Sequence, residues 1–176
     1  MNSLLLSPQN VKKIFAYILK SGVTAKEENG YDHYFSKVST KKEAADVDRA
    51  IKNAVTAVDN LITNPKSAKT TKILESNTTV ILAYAKKYNS PNLYSVLANC
   101  AYLLNSPLAY SYIDTAIQKY KETMQKHDPK SRAYTECLLD LSRTLAIKLV
   151  FGCIDNDRTN KRALDEFLST TPNTIE

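Results

Sequence analysis

The sequence predicts an all-α protein: a compact irregular bundle of six to eight helices, with antiparallel helical hairpins in its C-terminal half. Three observations carry that expectation. Apolar residues recur at three- and four-residue spacing through most of the chain, the pattern of a helix with one buried face. Five of these runs follow a proline preceded by a capping residue: Ser7-Pro8, Asn64-Pro65, Ser90-Pro91, Ser106-Pro107 and Asp128-Pro129. An N-cap oxygen accepts from an orphan amide, and proline at N1 loses nothing because its amide would be unpaired there. Finally, only three glycines occur in 176 residues, which leaves little material for tight β-hairpins.

Taken in order, residues 8–20 place Val11, Ile14, Phe15 and Ile18 on one face, and Gly22 is a stop. Residues 22–40 have no helical period and read as a long loop. Thr40 followed by Glu43 is a capping box, which satisfies two amides at a helix start. Val47, Ile51, Ala54, Val58 and Leu61 then form an a/d seam of about two heptads. After Asn64-Pro65 the period weakens through "SNTTVIL", so residues 65–88 make either two helices or one kinked helix.

Further helices are expected from Pro91 to Leu104, from Pro107 through Met124, from Pro129 to Gly152, and over 158–169. Residues 1–170 form one all-α domain, and 171–176 are a frayed tail with nothing to bury. The repeated hexad Asn-Ser-Pro-x-x-Tyr at 89–94 and 105–110 reads as two helix starts in quick succession. A tetratricopeptide array is disfavoured: residues 109–129 are too long for one of its helices, and no second copy aligns.

Composition removes several kinds of chemistry. Glycine-rich phosphate loops and dinucleotide fingerprints are absent. The two histidines, His33 and His127, stand at no metal-ligand spacing from a cysteine, and His127 suits the dipole at a helix end. Cys100, Cys137 and Cys153 lie in apolar helical contexts and read as small buried hydrophobes in a reducing, cytoplasmic compartment. No secretory segment or membrane span is legible. These features point away from an enzyme and call for no cofactor and no metal.

Two features point toward partners. The formal net charge is +6, and residues 64–130 hold nine Lys/Arg against four Asp/Glu. Lys66, Lys69 and Lys72 repeat at three-residue spacing, interspersed with Ser67, Thr70 and Thr71, whose hydroxyls suit phosphate oxygens. Tyr84, Lys86, Lys87 and Tyr88 then combine charge with rings on which bases stack. Lys119, Lys121, Lys126 and Lys130 extend this surface if their helix lies beside the first.

The second feature is Tyr31, His33, Tyr34 and Phe35, an aromatic cluster in the 22–40 loop that either pins the loop onto the core or serves as a partner contact. The sequence-based expectation is a non-enzymatic nucleic-acid-binding protein, with RNA or a single strand favoured over a specific duplex site. The alternative is a helical interaction or assembly module, possible as a homo-oligomer, with the 47–61 seam and the 30–35 cluster as its interface.

Overall fold

The computed structural model of the chain describes residues 40–64 and 66–155. Among the described residues there are five helices and no strand: α1 Lys41–Thr63, α2 Ala68–Tyr88, α3 Pro91–Leu103, α4 Ala109–Met124 and α5 Arg132–Asp155. They correspond to the five central helices expected from the sequence. The expected helices at 8–20 and 158–169, the 22–40 loop and the 171–176 tail lie outside the described residues.

The start signals resolve differently from one another. Thr40 caps α1, its side chain accepting from the Glu43 amide at 3.3 Å, and the Thr40 backbone in turn hydrogen-bonds the Glu43 carboxylate. Ser90 caps α3 with Pro91 in its first turn, as expected. Pro65, Pro107 and Pro129 stand further ahead of the helices they precede, and the Ser7-Pro8 start lies outside the described residues. Ser67, not Asn64, caps α2 by accepting from the Thr70 amide. Ser131, not Asp128, accepts from the Tyr134 amide at the start of α5, while Asp128 Oδ1 takes the Lys130 amide in the preceding turn. Ser106 accepts from the Leu108 amide at 3.3 Å, and α4 begins only at Ala109 with no side-chain cap. At α2 and α5 a hydroxyl nearer the helix took the place, because the cap must sit three residues before the amide it serves.

The repeated Asn-Ser-Pro also ends helices. Asn89 and Asn105 have φ of 52° and 55°, the left-handed region that asparagine tolerates better than most residues. In both, the next serine's amide reaches a carbonyl five residues back, Ser90 to Ala85 and Ser106 to Ala101. The asparagine therefore stops one helix, and the serine opens the turn into the next.

Each helix packs on its neighbour in sequence, and α3 also touches α1 and α5. The links are short, so consecutive helices run antiparallel. Glu43 at the start of α1 meets Lys87 near the end of α2, and Asp114 early in α4 pairs with Lys148 late in α5 at 2.8 Å. Helices α3 and α5 are parallel: Ser95 lies 3.4 Å from Thr144, and Tyr102 stacks on Phe151 at 4.1 Å. The a/d seam of α1 is core and not an intermolecular interface. Val47, Ile51, Ala54 and Val58 are fully buried and Leu61 nearly so.

Helix α3 is the centre, with eight of its thirteen residues buried. At its far end Tyr102 and Tyr110 each donate a 2.6 Å hydrogen bond to the Asp155 carboxylate, which fastens the end of α5 to α3 and α4. Cys100 and Cys137 are buried free thiols, and burial pushes the Cys100 thiol up to about 12. The Cys153 side chain lies outside the description.

Two outcomes test this core. Leu97, fully buried at the middle of α3, should cost about 2–5 kcal/mol when replaced by alanine, read from urea denaturation. Asp140 is pushed up from 3.8 to about 6 by burial, so the fold favours its protonated form. Its contribution is therefore most favourable below about pH 4 and is lost as pH rises through 6. Asp140→Asn should raise stability at pH 7 by on the order of 2 kcal/mol and flatten the stability profile between those limits.

Candidate interaction surface

Helix α2 carries all the lysine and tyrosine positions singled out for nucleic acid except Lys66, which lies in the turn before it. The doubt raised by "SNTTVIL" resolves as one continuous helix, for a local reason. Ser76, Asn77, Thr78 and Thr79 each donate a side-chain hydrogen bond to the carbonyl four residues back, at 2.7 to 3.1 Å. Polar and β-branched side chains that otherwise compete with a helix are thereby folded onto it. One face of α2, with Thr70, Leu74, Ile81 and Ala85, is buried.

The four lysines of α2 are on the opposite side. At about 100° per residue, Lys69, Lys72, Lys86 and Lys87 share an arc of about 100° facing away from the buried residues. All four are exposed, as is Lys66. They form two groups, with about 21 Å of helix between Lys72 and Lys86 at 1.5 Å per residue.

The two groups have different surroundings. Among the described residues Lys66, Lys69 and Lys72 make no ion pair, and α2 has no acidic residue in its first turn. The hydroxyls among them are already engaged. Ser67 Oγ donates to Thr70 Oγ1 at 2.9 Å, and Thr71 donates to the Ser67 carbonyl at 3.0 Å. The donors of Ser67 and Thr71 thus serve the start of the helix.

At the other end α1 answers the charge with carboxylates. Glu43 receives Lys87 and the Tyr88 hydroxyl, and Tyr84 Oη donates to Asp46 at 3.5 Å. The Lys87 ammonium and then the Tyr88 hydroxyl hold the Glu43 carboxyl down at about 2. The same carboxylate raises Lys87 and Tyr88, while burial followed by the Asp46 charge raises Tyr84. The rings of Tyr84 and Tyr88 lie near parallel with centroids 6.4 Å apart, within the range of an aromatic pair. These residues, with Thr40, Lys42 and Asn89, line an open groove of about 790 Å³. The tyrosines expected to stack on bases thus also fasten α2 to α1.

Helix α4 packs on α3 and α5 and not along α2, so its lysines do not simply prolong the α2 surface. Lys119 is placed at that end: its ammonium contacts Asn89 Oδ1 and lies 5.5 Å from the Tyr94 ring. Tyr31, His33, Tyr34 and Phe35 lie outside the described residues. Among the described residues, no group of His, Cys, Asp and Glu is arranged to hold a metal ion, and no helix is long and apolar enough to cross a membrane.

Sequence reasoning read Glu43 only as a cap and gave no role to Asp46, nor to Ile73 and Val80, which are 40% and 38% exposed on the lysine side of α2. One signal for the second pair was present. Ile73 and Val80 precede Leu74 and Ile81 by one residue each, so two apolar rows run down α2 and only one can face the core.

The Glu43 contacts make a pH test. A carboxyl lowered from 4.5 to about 2 contributes stability above its unfolded value and loses it as pH falls toward 2. Glu43→Gln should therefore flatten the acid limb of the stability profile between about pH 5 and 2, followed by thermal unfolding. Comparison of the chain with protein-family models, curated proteins and solved structures finds no match.

Proposed function

We propose that the chain is a non-enzymatic helical interaction module that presents the outer face of α2 to another protein. The observation that carries this is the composition of that face: exposed lysines at both ends and exposed Ile73 and Val80 between them. Exposed aliphatic residues among charged ones are ordinary at a protein interface and add little to a phosphate-binding surface. The diversion of Tyr84, Tyr88 and Lys87 to carboxylates of α1 supports the same choice, since carboxylates repel a polyanion.

RNA or another single strand is the second reading, favoured by Lys66, Lys69 and Lys72 standing without counter-charge beside a helix N-terminus. In that reading affinity falls steeply with salt and is lost when these three become glutamate.

A photo-crosslinking residue placed at Ser76, in the full chain within the cells that produce it, tests the proposal against a control at Glu122 on α4. Crosslinks to a polypeptide from position 76 and not from 122 are expected. Crosslinks removed by ribonuclease, or a polypeptide captured equally from both positions, overturn it.

A further inference from the structure

The outer face of α2 has a register as well as a charge. Lys69, Ile73, Ser76, Val80, Ala83 and Lys87 follow one another at spacings of 4, 3, 4, 3 and 4, the a/d strip along which two helices meet. All six are exposed. Lys72 and Lys86 flank the strip on one side, and neither makes an ion pair among the described residues.

We infer that this strip docks an acidic amphipathic helix of a partner protein, an inference that rests on the interaction-module reading and names the partner's chemistry. The strip's centre is apolar or small, so it accepts the apolar ridge of a second helix. Lys69 at its N-terminal end and Lys72 and Lys86 on its flank meet no carboxylate among the described residues, whereas Lys87 is held by Glu43. The partner therefore needs carboxylates beside its apolar ridge, where coiled-coil flanking charges choose the partner. From Lys69 to Lys87 the strip is about 27 Å long, which matches about five helical turns.

Charge disfavours the nearer occupants that have a helical period, and residues 22–40, with Glu27, Glu28 and Asp32 against Lys26 and Lys37, have none. A second copy would set lysine strip against lysine strip, with Glu75 the only acidic residue of α2, and like charges in register oppose association. Residues 8–20 of the same chain contain three lysines and no carboxylate, and residues 158–169 contain three basic residues and two acidic ones. A polyribonucleotide would engage the lysines and gain little from Ile73 and Val80, because phosphate contacts are polar.

The test is fluorescence anisotropy with the full chain and three probes. These are a labelled helical peptide of about 20 residues with leucine at a and d and glutamate at e and g, the same peptide with lysine in place of glutamate, and a single-stranded RNA of similar length. Two surface variants accompany them, Ile73→Ser with Val80→Ser, and Lys69→Glu with Lys72→Glu and Lys86→Glu. Circular dichroism checks that each retains its helix content.

The expected result is binding of the acidic peptide about tenfold or more tighter than the basic one. The apolar double variant should weaken it about tenfold, and charge reversal should invert the preference. Three results overturn the inference: no binding of the acidic peptide, binding indifferent to Ile73→Ser with Val80→Ser, or RNA binding tighter through the same lysines. Failure here with a polypeptide still crosslinked at Ser76 removes the acidic helix and leaves the module; a ribonuclease-sensitive crosslink removes both.

Discussion

The arrangement depends on one constraint: α3 is short and buried over most of its surface. Eight of its thirteen residues have almost no contact with solvent, so helices must cover it on several sides. The chain meets that need with α2 and α4, its neighbours in sequence, and with α5, which returns parallel to it. Once α2 has turned one face to α3 and α1, nothing among the described residues covers its opposite face. The buried helix and the exposed lysine strip are consequences of the same packing.

Polar contacts then set how the ends of these helices are held. Glu43 belongs to the cap of α1 and also receives Lys87 and Tyr88 from α2. Asp155 receives Tyr102 and Tyr110 at the opposite end of the stack. In each case one carboxylate gathers two donors from other helices, and tyrosine serves both because its ring packs while its hydroxyl reaches a polar partner. The abundance of tyrosine with no tryptophan therefore has a structural use in these two latches. Charge-assisted hydrogen bonds are stronger and more directional than neutral ones, so the latches define the register of the helices they join.

The same latches sort the basic residues. Lys87 at the C-terminal end of α2 meets a carboxylate of α1, whereas among the described residues Lys66, Lys69 and Lys72 at its N-terminal end meet none. A uniform basic face would speak for a polyanion. A face with a compensated end, an uncompensated end and aliphatic residues between them has the mixed composition of a protein contact.

Much of this was legible in the chain. The all-α class, five helix positions, the Thr40–Glu43 cap and the Ser90-Pro91 start follow from spacing and capping, which are local properties. The cap positions at Ser67 and Ser131 and the continuity of α2 were misread, because neighbouring hydroxyls compete for the same amides and their hydrogen bonds form only once the helix exists. The lysines' exposure was also local, since they lie opposite the apolar row of Leu74 and Ile81. Which of two apolar rows on α2 is buried, and which lysines meet a carboxylate, was decided only by the tertiary structure. Both depend on the residues that α1 and α3 bring across from distant parts of the chain, and helical periodicity describes a face without naming what it will face.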